Sequence, residues 1–515
     1  MFRNLMRHRI FGGPGRTLLS LCLLLGLWCC PACAQDKAAA PAEWTVMVYM
    51  DGDNNLEYCA IMDFLEMEHA IPENVEILVL FDRHKGYTDL YGNWTGTRLY
   101  RVRRAPPFEQ IREAAKGTSN ALPPALASEM LEDWGEVDMS DPATLTRFIK
   151  TVAERFPAKR YALIPWNHGG GWPGMLQDED GGEGAPVKSA MTIGQFVKAA
   201  KAGAESLPRR RFDLLKFELC LMGQLDVLSS AAEVADYAFA SPPEEPGQGS
   251  DFLSIMPLFR ADLSTEELTK QMVDLNVKYY TELGRPAAFS AYDLSKMRDV
   301  TASLRALTAQ LIPLTGEHFR ELTQGIYKST HYPEDLSVEL RNGKNALSSV
   351  ELADWLDGLE QVAGAPKEAI TALRERVKDL AYHAGATPDL RKCRGLTIYL
   401  PLRRDDVNPG YRATAFAQES GMDEYLKALY KARDLLGNEE PRISNIEMGA
   451  PVLKPGRDGQ SAADFDIRPI DFLTPFSRHV MRFDITGVGI LMTHLMQFEQ
   501  RGQDRYLNCI QLLVD

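Results

Sequence analysis

The sequence predicts an α/β protein, a mainly parallel sheet covered by helices on both faces, followed by a small C-terminal β module. Three observations carry this. Apolar runs at 45–50, 75–81, 161–165, 212–217 and 237–240 are near-continuous rather than alternating, as strands buried on both faces are. Stretches with helical spacing fall between most of them, so the connections are long enough to cross back over a parallel sheet. From Pro441 onward Gly, Pro and Asp become frequent and helical periodicity stops, leaving strand-like runs at 479–485, 489–498 and 506–514.

Taken in order, the strand at 45–50 leads into Asp51-Gly-Asp-Asn-Asn55 and a helix to about Ala70. The Asp51, Asp53, Asn55 spacing imitates the start of a calcium loop. Leu56 at the sixth position and Met62 at the twelfth exclude an EF-hand. Capping of the following helix is the expected role, and the carboxyl end of a strand also places the segment to rim a cleft. A second strand covers 75–81 and a short extended piece 98–102, with a polar loop expected at 105–135 and a helix at 141–155. After the strands at 161–165 and 212–217, a helix at 223–234 leads to the strand 237–240 and the loop Ser241-Pro-Pro-Glu-Glu-Pro-Gly247. Ser264-Thr-Glu-Glu267 reads as a capping box opening a helix to Leu283. Helices follow at 295–311, 350–362 and 367–383, then a last sheet strand at 396–400 and a closing helix at 422–436.

Two strand ends carry the chemistry. Tyr161-Ala-Leu-Ile-Pro165 ends in Trp166-Asn167-His168-Gly169-Gly170-Gly171-Trp172, and Phe212-Asp-Leu-Leu-Lys-Phe217 ends in Glu218-Leu219-Cys220-Leu221-Met222. Parallel neighbours present their carboxyl ends on one edge, so His168 and Cys220 are expected to face each other across a cleft. An imidazole beside a thiol favours the thiolate and can protonate a leaving amine. Gly169 frees a backbone N–H that can join the Cys220 N–H as an oxyanion hole. The helix expected just after Cys220 is placed to lower its pKa.

At these residues the chain resembles the clostripain family of cysteine peptidases, relatives of caspases, gingipains and legumain in their fold. Other segments match in order: Trp44-Thr-Val-Met-Val-Tyr-Met-Asp-Gly-Asp-Asn-Asn-Leu56, Tyr292-Asp293-Leu-Ser-Lys296 and Gly395-Leu-Thr-Ile-Tyr-Leu-Pro401. The resemblance spans about residues 44–435 and implies a peptidase domain over 35–440, with the β module at 441–515. It implies a caspase-like fold, His168 as general base and acid, and Cys220 as nucleophile. No third member of a triad is evident, no cofactor is expected, and dependence on calcium is left open by the sequence.

The family usually has Asp two residues before the Cys, at the base of a pocket for Arg or Lys. Glu218 stands there in this chain and keeps the charge, so protein or peptide substrates with basic residues are the expected partners. Glu244 or Glu245 in the Pro-rich loop is a candidate for a second negative charge. The alternatives are a peptidase of different primary specificity and a binding protein on a decayed peptidase fold. A decayed copy is expected to lose His168, Gly169 or Cys220, and all three are present.

Residues 1–34 read as a secretory signal peptide. Arg3, Arg7, Arg9 and Arg16 precede an apolar run at 18–28, and Ala32-Cys33-Ala34 offers a small-x-small cleavage site, implying a secreted or periplasmic protein. A lipid anchor is the alternative, but none of Cys29, Cys30 or Cys33 follows a good apolar-small-small sequence. Cleavage removes four arginines and no acid, so the formal charge of −14 becomes −18. Such a surface is a poor partner for nucleic acid or anionic membranes and a good one for basic peptides. Of eight cysteines, Cys59, Cys220, Cys393 and Cys509 remain; a chain of this length needs no disulfide staples to bury a core. Finally, the stretch 177–190 is rich in Gly and acid and contains one basic residue, Lys188. A basic-specific enzyme could cut itself there, between the His and the Cys, leaving Ser189 as a new N-terminus.

Overall fold

The computed structural model describes residues 41–181, 189–332, 349–401 and 410–435, and the backbone of five further strands between 442 and 514. The segment expected as a signal peptide, and Lys188, lie outside these residues. Strands β1 (Ala42–Gly52), β2 (Val75–Arg83), β3 (Thr97–Arg101), β4 (Glu129–Gly135) and β5 (Ala158–Trp166) are followed by a short hairpin of β6 (Met175–Asp178) and β7 (Ser189–Met191). Then come β8 (Phe212–Lys216), β9 (Ala235–Ala240), β10 (Ala288–Asp293), β11 (His331–Tyr332), β12 (Ser349–Glu351), β13 (His383–Ala386) and β14 (Thr397–Tyr399).

Nine of these strands form one sheet in the order β13-β10-β9-β8-β5-β1-β2-β3-β4. The five in the middle, β9, β8, β5, β1 and β2, run parallel, and the two at each flank are antiparallel to their neighbours. The middle strands are buried on both faces, which is why they read as continuous apolar runs. In β1, Met47 and Tyr49 enter one core layer, while Trp44, Val46, Val48 and Met50 enter the other, the two-residue alternation of an extended chain. Helices Pro142–Arg155, Ile193–Ala204 and Met297–Leu311 cover the first layer; Glu57–Ala70 and Thr265–Leu283 cover the second. The Ser264 hydroxyl accepts from the Glu267 amide, which is one half of the expected capping box; the Glu267 carboxylate accepts from Gln271 Nε2 instead of closing the other half.

Three expectations are corrected. The stretch 105–135 is not one loop: it holds a short helix, Ile111–Ala115, and the edge strand β4, whose charged, partly exposed residues hide its strand character. The strand expected at 396–400 is β14, which pairs with β12 in a separate three-stranded sheet with β11. The last strand of the main sheet is instead β13, which starts at the last residue of the expected 367–383 helix; the helix itself stops at Leu380. His383-Ala-Gly-Ala386 has no apolar run to announce it, and its register against β10 supplies the pairing. Beyond 441 the backbone forms strands at Arg442–Leu453, Phe465–Pro469, Val480–Thr486, Leu491–Arg501 and Asp504–Val514.

Candidate active site

The paired ends of β5 and β8 build the site. The Glu218 amide donates to Pro165 O at 3.0 Å and the Asn167 amide to Glu218 O at 3.3 Å, so pairing continues past β8 through a Trp166–Glu218 bridge. Two residues further on each side stand His168 and Cys220, in register with one another. Gly169 lies against the Cys220 backbone: a Cβ there would come within 2.4 Å of Cys220 O and 3.0 Å of Cys220 N. Only glycine permits this approach. Among the described residues, neither the Gly169 nor the Cys220 amide donates to another backbone acceptor. Leu221, with φ of 65°, turns the chain immediately after Cys220, a left-handed conformation rare for a leucine.

The His168 ring is held by a residue that its own strand does not supply. Its Nε2 lies 2.8 Å from Asn55 Oδ1, in the turn after β1. Beside it, the Asn167 side chain donates to Asp51 O at 3.0 Å, to Gln177 O at 2.9 Å and to the Asp51 carboxylate, and its own oxygen accepts from the His168 amide. The ends of β1 and β5 are thereby tied together. The turn 51–55 thus rims the cleft, as its position predicts, but it does not cap the helix: Leu56 occupies the cap position and no side chain caps there. Burial holds the imidazole below its usual pKa, against the opposing pull of Glu179. It is therefore neutral near pH 7 and able to accept a proton.

Cys220 is covered by the Ser241–Gly249 strap. The Glu245 amide donates to Sγ at 3.2 Å, and the thiol faces Glu245 O at 3.7 Å. The strap is pinned just after Cys220, Leu221 N donating to Pro243 O and Gly223 N to Ser241 O. Burial pushes the thiol up to about 12, with Glu245 and Glu244 adding to the rise. The expected lowering by a helix N-terminus is overturned: the helix begins only at Leu225 and spans seven residues, to Ala231. Cys59 and Cys393 are free thiols too, and burial raises both.

The candidate specificity acids are brought together with a partner the sequence did not flag. Glu218 is 4% exposed; one carboxylate oxygen accepts from the Ser250 amide at 2.6 Å and the other pairs with Lys216 Nζ. Lys216 is fully buried and lies over the Phe239 and Phe252 rings, 5.2 and 5.1 Å from their centroids. Asp63, also fully buried, accepts from Trp166 Nε1 at 2.6 Å. Gly249 makes room for both acids, since a Cβ there would lie 2.7 Å from Asp63 Oδ2 and 3.0 Å from Glu218 Oε1. Glu245 turns its carboxylate inward, where both oxygens are buried without a hydrogen-bond partner at good geometry, whereas Glu244 is exposed. Burial raises Glu245 to about 7, with Lys216 and the Leu219 amide pulling it back. It depresses Lys216 to about 8.

The chain matches the clostripain family over residues 48–401. It belongs to that family. Clostripain of Hathewaya histolytica is 26% identical over 242 residues, and the alignment covers 42% of this chain and 42% of that protein. The match thus spans less than half the length of that curated relative. Among solved structures, a secreted C11 cysteine protease from Bacteroides thetaiotaomicron in complex with an irreversible peptide inhibitor is 17% identical with a TM-score of 0.54. An inactive zymogen C11 protease from Parabacteroides distasonis is 18% identical, also with a TM-score of 0.54. Each similarity covers 74% of this chain and 99–100% of the other, and at these identities shows the caspase-like fold.

In this clostripain-family chain the segment between β5 and β8 holds the β6–β7 hairpin, with Asp178 opposite Ser189. Its first limb is anchored on Asp53, whose carbonyl accepts from the Glu179 amide at 3.0 Å and whose carboxylate accepts from the Asp180 amide at 3.1 Å. Asp53, Asp82 and Glu136 bring carboxylate oxygens within 4.8 Å of one another and are the group, among the described residues, that could hold a hard divalent cation. Lys216 and Asn55 are what sequence reading missed. Lys216, two residues before Glu218 in an extended segment, shares its face, which was the available signal; Asn55 had none beyond its place at a strand end.

Proposed function

We propose that the chain is a cysteine endopeptidase working through Cys220 and His168. The observation that carries this is the contact of Gly169 with the Cys220 backbone at the paired ends of β5 and β8, which sets imidazole, thiol and two adjacent amides on one edge. Sγ attacks the peptide carbonyl carbon as His168 takes the thiol proton; the Gly169 and Cys220 amides hold the oxyanion. The C–N bond then breaks, His168 delivers the proton to the leaving amine, and a thioester remains. Water, deprotonated by His168, displaces the thiolate to give the acid, and the thiol is restored. Cys220→Ala should abolish peptide hydrolysis, below one thousandth of wild type, with the melting temperature shifted by no more than a few degrees. Wild-type turnover by that variant would refute the mechanism.

Cleavage after basic residues is the specificity that the buried acids support, and Glu245, whose inward carboxylate has no close ion pair, supports it better than Glu218, which is already paired with Lys216. A different primary specificity is the second reading, and the Lys216–Glu218 pair is what favours it. Export rests on the N-terminal Arg-rich, apolar, small-residue sequence. Self-cleavage after Lys188 rests on the position of that residue between two anchored limbs of one hairpin.

A further inference from the structure

The buried group beneath the strap contains three acids and one base, and the base is the chain's own. We propose that Lys216 is a specificity-determining residue: its ammonium stands inside the acid-lined space where a substrate's basic side chain would end, neutralises Glu218, and so weakens the preference for Arg and Lys. This rests on the peptidase reading above and deepens it.

The placement follows from the strap. Glu245 touches Cys220 Sγ through its backbone while its carboxylate faces Asp63 and Lys216 below, and Lys216 is paired with Glu218, so one residue links Cys220 to the acid group. A side chain carried by a carbonyl at Cys220 and running along this residue arrives at Lys216. The ammonium there is held by Glu218 and by the faces of Phe239 and Phe252, a cage of the kind that recognises a cation from outside. A buried ion pair also satisfies itself: Glu218 has its two partners, Lys216 and the Ser250 amide, and little left to offer an arriving guanidinium. A second cation entering the same space meets the repulsion of Lys216 and the attraction of Glu245 and Asp63. Discrimination by charge is a difference between such contributions, and the resident cation subtracts from it.

The experiment compares kcat/KM on peptides carrying Arg or norleucine before the scissile bond, in wild type, Lys216→Met, Glu218→Gln, Glu245→Gln and the double variant Lys216→Met/Glu218→Gln. Lys216→Met should raise the Arg/norleucine ratio at least tenfold, because Glu218 is released to the substrate. Glu218→Gln alone should lower it at least tenfold by leaving Lys216 uncompensated, and the double variant, a neutral pair of nearly the same volume, should return it to within about threefold of wild type. The double variant also guards against misfolding of Lys216→Met, since a neutral pair leaves no uncompensated charge buried. An unchanged ratio in active Lys216→Met, or an equal fall in Glu218→Gln and in the double variant, overturns the proposal while leaving a basic-specific peptidase intact. A ratio indifferent to Glu245→Gln overturns the basic-pocket reading itself, whatever Lys216 does.

Discussion

Asn55 offers His168 an amide oxygen, and an amide oxygen can only accept. The imidazole Nε2 therefore carries the proton and Nδ1 is left as the base, a tautomer chosen by a residue 113 positions away. Asn55 is a positioning residue: it acts through the imidazole. General acid–base catalysis contributes about 10²–10⁴ in rate, and loss of orientation forfeits part of it, so Asn55→Ala should lower kcat by about tenfold to hundredfold with a small change in KM. Asn55→Asp is the sharper variant. A carboxylate at that position stabilises the imidazolium, so the acid limb of the kcat/KM profile, held low in wild type by burial of His168, should move to higher pH. Equal losses in both variants with superimposable pH profiles would show that Asn55 merely fills space.

At the scale of elements, the strands that lead to His168 and Cys220, and β1 beside them, were legible because β1, β5 and β8 are buried on both faces and leave unbroken apolar runs in the sequence. The edge strands β4 and β13 were not, since half-exposed edges are built from charged or small residues and are fixed by register rather than by pattern. The site divides in the same way. His168, Gly169 and Cys220 follow from their strand ends, but the strap over Sγ and the Lys216–Glu218 pair arise from contacts between distant segments. The β6–β7 hairpin makes the clearest prediction at this scale. Its limbs pair Met175 with Met191 and Asp178 with Ser189, and β5 and β8 on either side are neighbours in the main sheet, so a cut after Lys188 should leave two fragments that stay together. Purified wild type should slowly yield an N-terminus at Ser189 on denaturing gels while eluting as one species under native conditions, and Lys188→Gln and Cys220→Ala should stay whole. Scission of the Cys220→Ala chain at that bond without added protease would exclude self-processing.

For the whole molecule, acidity is concentrated as well as abundant. Asp51, Asp53, Asp82, Glu136 and Asp178 gather around the carboxyl ends of β1 and β2. Burial first, and mutual repulsion second, raise Asp178 to about 7 and Glu136 to about 8, and lift Asp51 and Asp82 well above the carboxylate range. Burial likewise lifts Asp53 to about 6, although nearby His84 pulls it down. Each folded value lies above the unfolded one near 4. Their contribution to stability is then fully present below about pH 4 and is lost as pH rises through about 6 to 8, because the fold binds protons that the unfolded chain releases. Glu43 works in the opposite sense. Lys159 and Arg160 hold it below its usual value, so its contribution is present above about pH 4 and disappears as acid protonates it. Maximum stability should accordingly lie on the acid side of neutrality. In buffer containing a chelator, so that no cation masks the repulsion, the melting temperature should fall by several degrees between pH 5.5 and 8.5. Asp82→Asn removes one charge from the centre of the group and should flatten that decline. A melting temperature that climbs across the interval in wild type, or a slope untouched by Asp82→Asn, would place the pH response elsewhere in the chain.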